Sequence, residues 1–352
     1  MSETRSALTT ETKPVQFAGA EIRRRRRIGL VAVVALLGVV CLASLVIGTE
    51  LVSLGTVWRA VTDYTDTGDE WIVHDLRIPR TLFGIVVGIA LGVSGALIQA
   101  VFRNPLGDSQ ILGLNSGASL SVVAAIAVFG FTSVWSYVWF AFVGALVAMV
   151  VVYLVATVGT VAATPVRLLL AGVAVGAIMD GVSFTIRNRN PRAFDSMRFW
   201  DAGTLDGRSV TVLAAVGPFI IVGLVLALAV SRTLNSVALG DDLATAMGGS
   251  VARTQVCSII AITLLAGAAT AAVGPIGFVG LMVPHIVRRL TGPDWRWILA
   301  YTVAAAPALL IAADVIGRLV VRPAELAAGI VTAFVGAPVL IWQIRRRAVS
   351  ES

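Results

Sequence analysis

Ten apolar stretches, most of them about 20 residues long, recur along this chain and limit what it can fold into. They are residues 28–48, 81–102, 113–131, 138–160, 166–186, 211–231, 254–273, 276–290, 296–317 and 326–344. A helix needs about 20 apolar residues to cross the hydrocarbon core of a bilayer. The chain is 57% hydrophobic and only 13% charged. The sequence therefore predicts an all-α polytopic membrane protein with about ten transmembrane helices, the eighth being short and interrupted by Pro284.

The charges at the two ends orient this arrangement. Arginines precede the first stretch at residues 23–27 and follow the last at residues 345–347, and basic residues favour the cytoplasmic side. An even number of spans also returns the chain to the side on which it began. We therefore expect a disordered basic cytoplasmic segment over 1–27, one transmembrane domain over 28–345 and a cytoplasmic tail over 346–352.

The composition argues against several classes of function. Lys13 is the only lysine and is followed by Pro14, so the chain has no Gly-Lys-Ser/Thr phosphate-binding loop. No group of histidines, cysteines and acids has metal-ligand spacing, and no catalytic constellation is visible. The basic charge is typical of membrane topology rather than of nucleic-acid binding. We expect a non-catalytic chain that binds no metal, cofactor or nucleic acid. If ATP powers the protein, the ATP must bind with Mg²⁺ to another polypeptide.

The polar connector 232–253 falls on the cytoplasmic side by this count and contains a short helical pattern over 237–247. Apolar residues recur on one face of that pattern, acidic residues occupy its first turn, and Gly248-Gly249 ends it. On its own, the pattern is more typical of an ordinary amphipathic connector, and it also fits a docking helix for a cytoplasmic partner.

Small and polar residues in the second stretch indicate close helix packing. Gly84, Gly88 and Gly92 recur at every fourth position, which lets another backbone approach closely. Gln99 in the same stretch fits either hydrogen bonding between helices or the wall of a cavity.

Two carboxylates lie within apolar stretches. Asp314 has Arg318 one helical turn further on, which indicates a paired structural charge. Asp180 has no basic residue within a turn, so it either lines a wet pathway or pairs with another helix.

The connectors assigned to the outside carry many arginines, among them Arg77, Arg80 and Arg318. Pairing with nearby acids and headgroups would explain most of them. A basic outer rim would equally suit the docking of an acidic protein.

Five sequence blocks in order resemble a known family of membrane proteins. They are Arg77-Ile78-Pro79-Arg80 leading into residues 88–119, residues 199–205 (FWDAGTL), residues 239–254 (LGDDLATAMGGSVART), residues 274–292 (GPIGFVGLMVPHIVRRLTG), and residues 324–330 leading to Gly336-Ala337-Pro338. Together they identify the chain as similar to permease subunits of ABC importers for iron-siderophores, haem and vitamin B12. The resemblance spans residues 28–345.

This resemblance implies the type II ABC importer permease fold, with ten helices, both termini in the cytoplasm and a dimer around a central pathway. It also implies two copies of a cytoplasmic ATPase, which binds ATP and Mg²⁺, and a binding (lipo)protein on the outside. The implied ATPase-coupling residues are Leu239, Gly240, Asp241, Asp242, Leu243, Ala246, Met247, Gly248 and Gly249. The implied docking arginines for the binding protein are Arg77, Arg80 and Arg318, and candidate pathway residues are Asp180, Arg187, Gln99 and Asn115.

Residues 103–118 and 200–207 are most similar to permeases for ferric enterobactin, which pair with a related but different permease. The resemblance therefore implies a heterodimer in the bacterial cytoplasmic membrane that imports a ferric siderophore, with haem or a cobalamin as the alternative. An ion-coupled secondary transporter, with Asp180 and Asp314 as coupling residues, remains a rival from another class.

Overall fold

A computed structural model describes residues 15–65, 68–105, 107–131, 133–159, 164–238, 240–246 and 250–350, and the main elements of these residues are helices. The helices are α1 (Val15–Val46), α2 (Leu54–Thr62), α3 (Gly68–Trp71), α4 (Ile78–Val101), α5 (Leu114–Phe129), α6 (Val134–Thr157), α7 (Pro165–Arg189), α8 (Pro191–Trp200), α9 (Val210–Val237), α10 (Asp241–Ala246), α11 (Val251–Val273), α12 (Val279–Thr291), α13 (Trp295–Val320) and α14 (Ala328–Ser350). A π-helical turn, Ile72–Arg77, joins α3 to α4, and a 3-10 turn, Ser109–Leu112, precedes α5.

The ten apolar stretches correspond to α1, α4, α5, α6, α7, α9, α11, α12, α13 and α14. Among the described residues, seven helices are long and apolar enough to cross a membrane, and α5 and part of α14 are shorter apolar helices. The eighth stretch forms α12, which has only 13 residues. The predicted all-α membrane architecture is confirmed.

The N-terminal segment joins the first span. Residues 15–27, part of the segment for which the sequence predicts disorder, form the first turns of α1, which continues through the arginines without a break. The Tyr301 hydroxyl of α13 donates to the Arg26 carbonyl at 2.5 Å, and the Arg26 guanidinium lies 3.9 Å from Asp294. Residues 1–14 lie outside the described part.

Helix α4 occupies the centre of the bundle. It packs against α9, α11, α12 and α13, and most of its apolar length is buried, as in α11 and α13. Little of α1 is fully buried along its most apolar window, and α7 and α9 are also mostly outside the buried core. Helices α4, α11 and α13 thus form the core, and α1, α7 and α9 lie at the periphery.

The chain enters α12 deep inside this core. Gly280 packs against Gly95, which lies about 26 Å along α4 from its outer end. The Gln99 amide nitrogen donates to the Gly280 and Leu281 carbonyls, both at 3.0 Å. Phe278, just before α12, has a φ of 68°, a region that bulky residues rarely adopt. Pro284 has no N–H to donate to the Gly280 carbonyl one turn earlier in α12, and Gln99 supplies a donor to that carbonyl.

The glycines of α4 form the contact with α13. A Cβ atom at Gly88 would lie 2.4 Å from the Pro307 Cα, which is backbone that cannot rotate away. Gly84 faces Ile311, and Gly92 faces Ala306 at a similar separation. The spacing seen in the sequence therefore corresponds to a continuous close contact between two buried helices.

We expect Gly88→Val to lower the thermal unfolding midpoint of the purified protein, because the side chain would push α4 away from the Pro307 backbone. Overpacking of this kind costs about 1–3 kcal/mol, and a contact with backbone lies at the upper end. Gly38→Val in α1 is the control, since nothing lies within 4 Å of its Cβ position. Equal midpoints for the two variants would contradict this packing.

Candidate functional sites of the membrane domain

A buried carboxylate with two guanidinium groups lies at the outer end of the core. Arg80 on α4 donates from Nε and Nη2 to the two oxygens of Asp314, at 2.9 and 2.8 Å. Arg318 donates to the same carboxylate from Nε at 3.0 Å and from Nη2. The exposed fractions of the Asp314 and Arg318 side chains are 1% and 2%. The paired role that the sequence indicated for Asp314 is therefore present, with a second arginine from α4.

The same arginines extend the network to neighbouring elements. Arg80 Nη1 also reaches Glu325 at 2.6 Å, in the segment before α14, and Asp206 at 3.1 Å. Arg318 donates to the Ser44 carbonyl in α1 at 2.9 Å. This one cluster therefore connects α1, α4, α13 and two outer connectors.

Arg77 has a different set of partners at the end of α1. Its Nη1 donates to the Leu45 and Val46 carbonyls at 2.8 and 2.9 Å, and its Nη2 donates to the Glu50 carbonyl at 2.6 Å. The last carbonyls of a helix have no partner within the helix. Arg77 therefore caps α1 rather than pointing to solvent.

The predicted docking role of Arg77, Arg80 and Arg318 is not supported by their positions. All three residues are buried, at 5%, 7% and 2% exposure, so a protein arriving from outside would not meet their guanidinium groups in this conformation. The carboxylate of Asp314 and the free carbonyls of α1 draw these arginines inward. Exposed arginines do line the outer connectors, namely Arg59, Arg189, Arg192, Arg198 and Arg322.

We expect Asp314→Asn to destabilise the protein strongly. The amide keeps the shape of the side chain but removes most of the negative charge around two buried guanidinium groups, a loss of about 3–5 kcal/mol. Asp206→Asn is the matched control because its side chain is 57% exposed, and such pairs contribute about 1 kcal/mol or less. Thermal unfolding of both variants checks the difference, and similar midpoints would show that the cluster contributes little.

Helix α7 presents polar groups on an exposed face. Asp180 is exposed, and it accepts a hydrogen bond of 3.0 Å from the Ser116 hydroxyl of α5. Apolar side chains on the same helix are also exposed, including Ile178 and Phe184. A carboxylate facing lipid would cost about 2.5–3.5 kcal/mol, so this face is suited to water or to another protein.

At the outer end of α7, Arg187 pairs with Asp201 and donates to the Ser119 hydroxyl at 3.3 Å. Asp201 follows α8 in the outer connector, outside the membrane-spanning helices. Burial raises the pKa of its carboxyl, and the Arg187 guanidinium opposes that rise. The pair thus fixes α8 to the end of α7.

Two other candidate pathway residues lie within the helix packing. Gln99 is only 2% exposed and is bound to the α12 backbone, so in this structure it joins two helices and does not line an open surface. Asn115 accepts a hydrogen bond from the Thr270 hydroxyl at 2.9 Å and ties α5 to α11. Of the four candidates, Asp180 is the exposed one, and Arg187 lies at the outer edge of the same helix.

A cavity of about 340 Å³ lies where the irregular segments meet. Its walls include Gln110 from the 3-10 turn, Asp201 after α8, Pro275 and Phe278 before α12, and Phe334 of α14. Residues 274–278 had been assigned to an outer turn and the start of the eighth span. Gly274 and Gly277 on either side of Pro275 were the signal in the sequence that the backbone is not helical there.

The cytoplasmic connector forms a separate short helix, α10 (Asp241–Ala246). The predicted helix began at Val237, but Gly240 has a φ of 121°, which favours glycine and separates α9 from α10. Ala244 is buried, whereas Asp242, Leu243 and Ala246 are exposed. Four further predicted coupling residues, Leu239, Met247, Gly248 and Gly249, lie outside the described residues.

Comparison with known proteins identifies the family. Residues 33–346 match the model of the FecCD transport family. The chain belongs to this family. It is 46% identical to the ferric enterobactin transport system permease protein FepD of Escherichia coli, over 92% of this chain and 96% of that protein. It is 33% identical to the hemin transport system permease protein HmuU of Yersinia pestis, over 94% of this chain and 99% of that protein.

The fold agrees with this membership. A solved structure described as an inward-facing conformation of a metal-chelate type ABC transporter superposes with a TM-score of 0.78 at 25% identity, covering 91% of this chain and 99% of that chain. This FecCD-family chain is accordingly a permease subunit of an ABC importer and a multi-pass protein of the bacterial cytoplasmic membrane.

Proposed function

We propose that this permease subunit imports ferric siderophores of the enterobactin type, together with a second, related permease. Two copies of a cytoplasmic ATPase would drive it, and an outer binding protein would deliver the substrate. The observation that carries the substrate assignment is the 46% identity to the ferric enterobactin permease over almost the whole chain. The two permeases would be paralogues, which makes the assembly a heterodimer in the membrane.

The exposed face of α7 supports a pathway between the two permeases. Asp180 lies within a membrane-spanning helix, yet its side chain is exposed and hydrogen-bonded to Ser116. Ionisable residues in such helices usually face a water-filled cavity or the interior of a bundle. A second permease opposite α7 would enclose water along this face and shield it from lipid.

We expect a cysteine at position 180 to react with a water-soluble, positively charged methanethiosulfonate reagent in the assembled transporter. The background carries Cys41→Ala and Cys257→Ala, which remove the only native cysteines. Val39→Cys on α1, where the native residue is 63% exposed, is the control and should remain unmodified because lipid surrounds it. Equal protection at both positions would place the face of α7 outside any aqueous pathway.

Helix α10 would couple the permease to its ATPase. It lies on the predicted cytoplasmic side, and the Leu243 side chain is 48% exposed beside the exposed Asp242. The chain has no phosphate-binding loop of its own, because its one lysine is followed by proline. ATP and Mg²⁺ would therefore act on the partner, and α10 would receive the motion through an apolar contact at Leu243.

We expect Leu243→Asp to weaken ATPase binding at least about tenfold, because burial of a leucine contributes about 1.5–3 kcal/mol. Leu243→Met preserves the apolar volume and is the matched control. Equilibrium binding of the purified ATPase to the permease in nanodiscs measures both. Unchanged affinity for Leu243→Asp would exclude this contact.

Transport into proteoliposomes tests the substrate. The full complex should accumulate ferric enterobactin only when ATP is supplied on the cytoplasmic side and loaded binding protein is present outside. Haem and a cobalamin, each presented with its own binding protein, are the comparisons. Haem or cobalamin uptake without ferric enterobactin uptake would overturn the substrate assignment and leave the ABC permease role in place.

A further inference from the structure

The short helix α2 between the first two spans divides its surface into three faces. At 100° per residue, Leu54, Trp58 and Val61 fall within about 60° of its circumference. Thr56, Val57 and Ala60 occupy a second sector, and Gly55, Arg59 and Thr62 a third. The three sectors do not overlap, so each can face a different environment.

The second sector faces the protein. Val57 and Ala60 are buried and pack with Val52 and Val73 in a small cluster that also touches Leu45 and Val46 at the end of α1. Thr56 accepts a hydrogen bond of 3.2 Å from Arg59. This sector therefore fixes α2 against the outer end of α1 and the π-helical turn before α4.

The third sector is polar and exposed. The Arg59 side chain is 58% exposed and donates to Glu70 of α3 at 3.0 Å. Gly55 and Thr62 on the same side are also exposed.

The first sector is apolar and is left uncovered by the residues that the structure describes. Leu54, Trp58 and Val61 are 66%, 69% and 63% exposed, and Leu51 just before the helix is 71% exposed. The sector contains no charged residue. This stripe of residues 51, 54, 58 and 61 is therefore an apolar surface that needs a partner.

We propose that this stripe lies in the outer interface of the bilayer, so that α2 is an in-plane membrane anchor. The observation that selects lipid is continuity with α1. Val39 and Leu42 of α1 are 63% and 55% exposed, and α1 has the smallest buried share of the long apolar helices among the described residues. Helix α2 begins eight residues after α1 ends and packs against Leu45 and Val46 in the last turn of α1.

The sector geometry also matches a junction of three media. A helix lying along the membrane surface at the edge of a protein meets protein on one side, acyl chains below and water above. Tryptophan is enriched at that depth because its ring is apolar and its N–H is polar. The anchor would hold the outer end of α4, and with it Arg77, at a fixed height in the membrane.

Site-directed spin labelling of the complete transporter tests the proposal. Single cysteines replace Leu54, Trp58 and Val61 in the Cys41→Ala, Cys257→Ala background, and Gly55→Cys and Thr62→Cys on the polar sector are the matched controls. The labelled complexes are reconstituted in nanodiscs of phosphatidylethanolamine and phosphatidylglycerol. Collision rates are measured with oxygen, which concentrates in lipid, and with a nickel chelate, which stays in water.

We expect a higher ratio of oxygen to nickel accessibility at positions 54, 58 and 61 than at positions 55 and 62. Nickel accessibility at position 58 equal to that at position 62 would show that the stripe faces water and would overturn the proposal. Protection of the stripe from both reagents would show a protein partner and would overturn it as well. Monodisperse elution and normal ATPase stimulation of each variant confirm that the labels report on the folded transporter.

Discussion

The carboxylate of Asp314 is the only acidic group in direct contact with both Arg80 and Arg318 among the described residues. Burying ions is costly unless each finds a partner and its remaining hydrogen-bonding atoms are satisfied. Here both guanidinium groups are held on one carboxylate, and their remaining donors reach Glu325, Asp206 and the end of α1. The outer ends of α1, α4 and α13 are thereby fixed to one another.

Close backbone contact continues this connection along α4 into the membrane. Gly88 meets the Pro307 backbone of α13, Gly95 meets Gly280, and Gln99 binds the first turn of α12. Helices α9 and α11, which flank α10, both pack on α4. A displacement of α10 by an ATPase would therefore reach a closely packed core, in which packed helices move as units. We infer that α4 transmits motion between the cytoplasmic helix and the outer cluster.

The sequence predicts features that depend on local spacing. The ten apolar runs, the glycines of α4 and the pair Asp314–Arg318 all follow from periodicity within one segment, and the structure contains each of them. The second partner of Asp314 was not predictable in this way, because Arg80 lies 234 residues away. The burial of Arg77 was not predictable for a related reason. A charged residue in an outer connector is expected to be exposed, and the sequence does not reveal that Arg77 caps the carbonyls at the end of α1.

Irregular backbone was the other source of error. Hydropathy predicts an ordinary span at residues 276–290, whereas in the structure Phe278 has a positive φ before α12 and Gly280 packs against Gly95. At the start of α1, Arg26 contacts Tyr301 of α13 and Asp294 just before it. In both places the partner lies far away in the sequence, so neither hydropathy nor charge along the chain could reveal the contact.

The central claim is that this chain is the membrane half of a transporter whose motor is a separate ATPase. Uptake of radiolabelled ferric enterobactin by cells, with the partner ATPase intact or inactivated in its phosphate-binding loop, tests it most directly. We expect uptake to disappear with the inactive ATPase and to withstand a protonophore while cellular ATP is maintained. Uptake that survives loss of the ATPase but is abolished by the protonophore would contradict it and would favour ion-coupled transport.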